Sequence, residues 1–134
     1  LTCFDSLSQM VLYQCLKSGI YEGALRNMRE QYRRKRDLMY QLLQPLFAMG
    51  ATCELPNGGV HLWIRLPDDR IHSDKLRKNA EKKGVLFVPG HLFFPYGTRG
   101  EQCIRLNFSF PSEEQIREGI PKLIEAVKEA QTSE

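Results

Sequence analysis

The 134-residue sequence has no apolar run approaching the roughly eighteen residues that a membrane-spanning helix requires. Nor does a basic stretch followed by an apolar core mark a secretory leader. The four cysteines, Cys3, Cys15, Cys53 and Cys103, include no CxxC pair. That spacing argues against a zinc site and offers no disulfide framework, so reduced thiols in a cytoplasmic protein are expected. The three histidines, His61, His72 and His91, fall in three different segments without HxH or i, i+4 spacing, and no carboxylate cluster accompanies them. GxGxxG, P-loop and GxSxG motifs are all missing. Charge of one sign is scarce too: 19 basic against 16 acidic residues leave +3, too little to imply nucleic acid by itself. These absences argue against a membrane span and a metal centre, and the sequence shows no complete catalytic apparatus of familiar pattern.

What remains is an ordinary globular composition, 42% hydrophobic and 26% charged, long enough to bury a core. The segment DSLSQMVLYQCLKSG predicts a helix, with Asp5 as N-cap, Gly19 as stop, and an apolar stripe through Leu7, Met10, Val11, Leu12 and Leu16. A longer helix is expected from Tyr21 or Glu22 to Met49, ended by Gly50. Its stripe runs through Leu25, Met28, Tyr32, Met39, Leu42, Leu43 and Leu46, and Pro45 predicts a kink or an early end. The pattern then changes to period two. TCEL and GVHLWIRL flank PNGG, whose Asn57-Gly58 pair is a strong hairpin signal because both residues tolerate positive φ. In the second strand Val60, Leu62, Ile64 and Leu66 face one way, and His61, Trp63 and Arg65 the other.

A polar helix over about 73–83, closed by Gly84, is followed by VLFV, a short apolar run that reads as a buried strand. HLFFPYGTRGE is a loop rich in aromatic residues. Next comes CIRLNFSF, where Ile104, Leu106, Phe108 and Phe110 alternate with Cys103, Arg105, Asn107 and Ser109. The last helix opens with a capping box, Ser112 to Gln115, and buries Ile116, Ile120, Leu123, Ile124 and Val127; Pro121 inside it predicts a bend. The expected fold is α+β: a small mixed, mostly antiparallel sheet of about four strands packed against helices and preceded by two lead-in helices. Residues 1–134 read as a single domain, with lead-in helices over 1–50 and an α/β small domain over 51–134. The chain begins at Leu1 rather than Met, in a stretch that already reads as structured, so a piece of a longer protein is expected.

Two features invite a functional reading. RNMREQYRRKR, residues 26–36, carries six basic residues and one acidic, but its apolar stripe says that one side is packed, and a solvated face explains the charge. Arg105, by contrast, stands on a strand immediately after an aromatic loop that can supply apolar walls. A guanidinium there suits a carboxylate ligand, through two parallel charge-assisted hydrogen bonds, and Asn107 on the same face is placed to orient the pair. Solvated decoration is the alternative that the residues alone leave open.

Three blocks in order, PNGGVHLWIRLP, GVLFVPGHLFFP and CIRLNFSFPSEEQIREGIPKLIEAV, resemble the carboxyl-terminal part of fold-type I, class I/II aminotransferases. The subgroup with 2-aminoadipate-type aminotransferases is the nearest likeness, and the aminotransferase-like domains of GntR/MocR-type transcription regulators share the signature. The resemblance implies that Arg105 binds the substrate α-carboxylate. It also implies that Gly58-Gly59 and the loop through Phe93 and Phe94 border the mouth of the site, so Arg105, Asn107, Gly59 and Phe94 are the candidate substrate-binding residues. It further implies pyridoxal phosphate as cofactor of the full-length parent, held by a large domain with a Schiff-base lysine that has no counterpart here. None is therefore expected on this chain, which should be inactive alone. An amino acid and its 2-oxo acid are the implied substrates, and a homodimer the implied assembly. DNA is a partner only if an amino-terminal winged-helix domain precedes the large lobe.

Overall fold

A computed structural model describes residues 6–94, 96–97 and 100–132. Residues 1–33 and 34–134 form two compact units. Within the first, α1 (Ser6–Ser18) ends at Gly19, whose φ of +78° lies in the left-handed region glycine enters without penalty. Asp5 and the side chains of Leu7 and Leu12 lie outside the described residues. The described side chains of the predicted stripe are not buried: Met10 is 64% exposed, and Val11 and Leu16 are exposed as well.

Helix α2 spans Ile20–Leu42, and α3 follows at Gln44–Ala48. The single long helix expected to Met49 is thus divided at Leu43, as Pro45 dictates. A proline in a helix interior removes one hydrogen bond and clashes with the preceding turn, but at the first or second position of a new helix it costs nothing. Met39, Leu43 and Leu46 from this region are fully buried.

The sheet has four strands in the order β1-β2-β4-β3, all antiparallel: β1 Thr52–Cys53, β2 His61–Arg65, β3 Val88–Pro89 and β4 Cys103–Asn107. The central pair is in register from His61 opposite Asn107 to Arg65 opposite Cys103. Period two does what it predicts there. Leu62, Ile64, Ile104 and Leu106 are buried, and the alternate residues form the other face. Helix α4 (Ser73–Lys82) contributes Leu76 and Ala80 to the core, and α5 (Glu113–Thr132) contributes Ile116, Ile120, Leu123, Ile124, Ala126 and Val127. The α5 capping box forms as expected: Gln115 N–H donates to Ser112 Oγ at 3.1 Å, and Ser112 N–H donates to Gln115 Oε1 at 2.8 Å. Helix α5 runs through Pro121 to Thr132.

One local expectation is met in a looser form and two are corrected. Strands β1 and β2 pair antiparallel as the Asn57-Gly58 hairpin signal predicts, though through a connection longer than two residues. The β1–β2 ladder ends at Cys53 opposite Ile64, and in the connection between them only Gly59 has a positive φ, +76°. A tight turn at Asn57-Gly58 would put Pro56 in the flanking ladder position, where it has no N–H to donate. Its carbonyl is instead taken by Arg36 Nη1 at 2.9 Å. VLFV is not a continuous buried strand. Val85 and Phe87 are buried and Leu86 is 78% exposed, and pairing is confined to Val88–Pro89 on the sheet edge, where a proline is tolerated. Phe110 does not share the buried face of Phe108; it is 94% exposed. The strand ends at Asn107, whose Oδ1 accepts from Ser109 N–H (2.8 Å), Ser109 Oγ (2.9 Å) and Phe110 N–H (2.9 Å). This Asx-type turn re-aims the chain before the alternation reaches Phe110.

The basic stretch 26–36 divides in two. Arg33 and Arg34 are largely exposed, as a solvated face requires. Lys35 and Arg36 are not decoration: Lys35 Nζ donates to Ser109 O at 3.1 Å, and Arg36 holds the Pro56 carbonyl. Both donors satisfy loop carbonyls at the same end of the sheet.

Candidate functional site

The outward face of the central strands carries His61, Trp63 and Arg65 from β2, and Cys103, Arg105 and Asn107 from β4. Arg105 stands in the middle of it. Trp63 is its cross-strand partner on one side and Val88 its partner on the other. The Arg105 Cζ lies over the Phe93 ring, 4.3 Å from the centroid. Trp63 meets Phe93 edge to face at 5.6 Å between centroids, and Phe94 likewise at 6.1 Å. The guanidinium therefore rests on an aromatic cluster rather than in open water. Its Nε is enclosed and has no hydrogen-bond partner among the described residues, and no carboxylate among them forms an ion pair with it.

The aromatic loop owes its position to two glycines. A 3-10 turn, Gly90–Phe93, carries Phe93 and ends at Phe94. A Cβ on Gly90 would lie 2.6 Å from Gly100 O and 2.7 Å from Cys103 O; one on Gly100 would lie 2.5 Å from Gly90 O and 2.7 Å from Phe94 Cδ2. Only glycine at both positions permits this backbone approach, and it draws the turn down against the start of β4. His91 Nε2, 3.4 Å from Asp74 Oδ2, ties the same turn to α4. The segment before β4 is fixed independently, since Leu66 N–H donates to Gln102 O and Ser73 N–H to Glu101 O.

Asn107 lies two residues from Arg105 on the same face, but its amide is already committed. Its oxygen accepts the three turn donors, so its Nδ2 must face His61 Nε2, 3.2 Å away, as a donor. That in turn requires an unprotonated Nε2. Burial, and then the Arg105 charge, lower the His61 pKa from its ordinary 6.5, which favours the same neutral ring. The linkage has a definite sign. Above 6.5 both folded and unfolded chains carry neutral His61; as pH falls through 6.5 the unfolded chain takes the proton first, and stability is lost until the folded-state pKa is passed. An NMR titration of the His61 ring should give a midpoint below 6.5, and Arg105→Ala should move it back upward. A midpoint at or above 6.5 in the unmodified chain would contradict this electrostatic picture.

Of the four residues expected from the sequence, Arg105 and Phe94 meet around Trp63, Asn107 neighbours Arg105 along the strand, and Gly59 lies in the exposed loop just before β2. Phe94 therefore borders the face through Trp63, and Asn107 organises the strand end. Trp63, Gly90 and Gly100 were not marked by the sequence as site residues. Only the pairing register shows that Trp63 and Arg105 are opposite, and the glycine contact joins residues ten apart in a loop of no regular pattern. No group of three or more metal-ligating side chains occurs among the described residues, and no helix among them is long and apolar enough to cross a membrane.

Arg105 thus stands on a paired strand beside aromatic rings, without an ion pair among the described residues. Residues 1–123 match the family model of aminotransferase class I and II, and the chain belongs to that family, whose members depend on pyridoxal phosphate. It is 33% identical over 127 residues to aromatic-amino-acid aminotransferase 1 of Thermococcus litoralis, covering 95% of this chain and 30% of that protein. It is 35% identical over 122 residues to the HTH-type transcriptional regulator NorG of Staphylococcus aureus, covering 91% of this chain and 27% of the regulator. Among solved structures it is similar to LysN, the α-aminoadipate aminotransferase of Thermus thermophilus, in complex with N-(5'-phosphopyridoxyl)-L-leucine. The TM-score is 0.81 at 33% identity, over 93% of this chain and 31% of that one. The chain thus spans under a third of the length of these relatives. Every lysine of the chain stands on α1, α2, α4 or α5 or, as Lys83, just after α4, and none on the strands or loops around Arg105.

Proposed function

We propose that this chain is the carboxyl-terminal small domain of a class I/II aminotransferase, and that it holds the α-carboxylate of the amino-acid or 2-oxo-acid substrate through Arg105. The observation that carries the reading is the state of Arg105: a strand guanidinium over the Phe93 ring, with no ion pair to any carboxylate of the described residues. A fixed, unneutralised fork is suited to two parallel hydrogen bonds with a carboxylate. Such an anchor fixes the orientation of the substrate Cα, which is the contribution a substrate-positioning arginine makes to rate. Asn107, Gly59 and Phe94 shape the surroundings: Asn107 closes the end of β4, and Gly59 and Phe94 border the mouth. Pyridoxal phosphate, when bound in the full-length protein, supplies the electron sink for the reaction. The residues that hold it belong to a large domain outside this chain, so the chain alone should not transaminate. A cytoplasmic homodimer fits the same reading.

The match to NorG favours a second reading, an aminotransferase-like effector domain of a GntR/MocR-type regulator in which Arg105 holds an effector carboxylate. One experiment separates the two. The full-length protein, supplied with pyridoxal phosphate, a panel of L-amino acids and 2-oxoglutarate, should form glutamate and the matching 2-oxo acid. No transfer with any donor, together with amino-acid-dependent binding to DNA, would replace the first reading with the second.

A further inference from the structure

A cation on a binding face must be held in place without being neutralised. A carboxylate neighbour would fix Arg105 but would also cancel its charge and compete with the ligand. An aromatic face does otherwise: its quadrupole attracts the guanidinium while leaving the net charge and the outer hydrogen-bonding edge available. Arg105 has this arrangement, with Cζ 4.3 Å from the Phe93 centroid, an enclosed Nε, and no carboxylate partner among the described residues. Phe93 is itself constrained. It ends the 3-10 turn pinned by the Gly90–Gly100 approach, and its ring meets Trp63 edge to face. Trp63 in turn is the β2 residue directly across from Arg105, and it remains 38% exposed. The three side chains close a small circuit: strand to strand from Trp63 to Arg105, ring to ring from Trp63 to Phe93, and ring to cation from Phe93 back to Arg105.

We propose that Phe93, braced by Trp63, is the positioning residue for Arg105, holding the guanidinium ready for a ligand carboxylate before the ligand arrives. This rests on the carboxylate-binding reading of Arg105 given above. Loss of the ring leaves the charge on the strand but frees the side chain, so each binding event must order it again. Phe93→Leu, which keeps an apolar group but removes the π face, is therefore expected to raise the KM for L-leucine and for 2-oxoglutarate about tenfold in the full-length enzyme, in the range of a cation–π contact. The kcat should fall by less than KM rises, because Arg105 remains on the strand and still orients the carboxylate once it is bound. Phe93→Tyr keeps the π face and should stay close to the unmodified enzyme. Where turnover is absent, the same ratios are to be read as dissociation constants for L-leucine by calorimetry.

The Arg105→Ala background distinguishes the two levels of the argument. Phe93→Leu should add nothing to the KM of Arg105→Ala; a full tenfold addition there would show that Phe93 does not act through Arg105 and would overturn the inference. If Phe93→Leu leaves KM unchanged while Arg105→Ala raises it, the positioning role fails and carboxylate binding survives. If neither substitution changes KM, the carboxylate reading fails and the inference goes with it. Equal losses in Phe93→Leu and Phe93→Tyr, with unchanged thermal unfolding, would also count against a role for the ring face.

Discussion

Arg105→Ala should raise the KM of the full-length protein for its amino-acid substrates on the order of a hundredfold, the scale of removing one partner from an enclosed charged hydrogen-bonded pair. The reason lies in what surrounds the position. The aromatic cluster of Trp63, Phe93 and Phe94 excludes water from one side of the guanidinium, so a carboxylate meeting it there is less screened than on an open surface. No second basic side chain is paired to this strand position to take over; its neighbours across the sheet are Trp63 and Val88. Arg105→Lys keeps the charge but loses the planar fork, and should fall between the two. If the anchored carboxylate also orients the Cα, kcat falls as KM rises, and steady-state kinetics separate the two contributions. Unchanged KM and kcat/KM in Arg105→Ala would remove Arg105 from substrate binding.

The largest effect on stability is expected at Phe108. It is among the largest fully buried side chains, 1% exposed, and its backbone N–H donates to Val60 O at 2.9 Å just beyond the paired part of β4. Phe108→Ala removes a whole aromatic ring from a close-packed site, at a cost of about 3–5 kcal/mol. Phe110, two residues on and 94% exposed, is the control; its alanine variant should change stability by no more than about 0.5 kcal/mol. Urea unfolding of the two variants gives the comparison directly. Similar losses at both positions would mean that the alternation of CIRLNFSF continues past Asn107 after all, and that the turn built on its side chain is misplaced.

That pair of phenylalanines also shows where sequence reasoning reaches its limit. Periodicity identified the buried faces of β2 and β4, the buried stripe of α5 and the capping box at its start, because each follows from contacts within a few residues of chain. The same rule placed Phe110 with Phe108, since nothing in the alternation announces that the Asn107 side chain will take three donors and turn the chain. PNGG carried a strong local turn signal, yet Pro56 and the short β1 widened the loop. The stripe through Met10, Val11 and Leu16 has a helical period and forms a helix, but burial does not follow from period alone.

The sequence by itself determined that Arg105 shares a strand face with Asn107, that an aromatic loop precedes it, and that the blocks around it resemble an aminotransferase carboxyl-terminal region. All of these are read along the chain. Tertiary structure alone decided that Trp63 stands opposite Arg105, that Phe93 lies beneath the guanidinium, and that Gly90 and Gly100 touch backbone to backbone. The physical reason is the range of the interactions. Strand register and loop closure depend on contacts between residues ten to more than forty apart, and alternation is blind to which strand a face will meet. An arginine on a strand becomes a binding group only when folding supplies its surroundings.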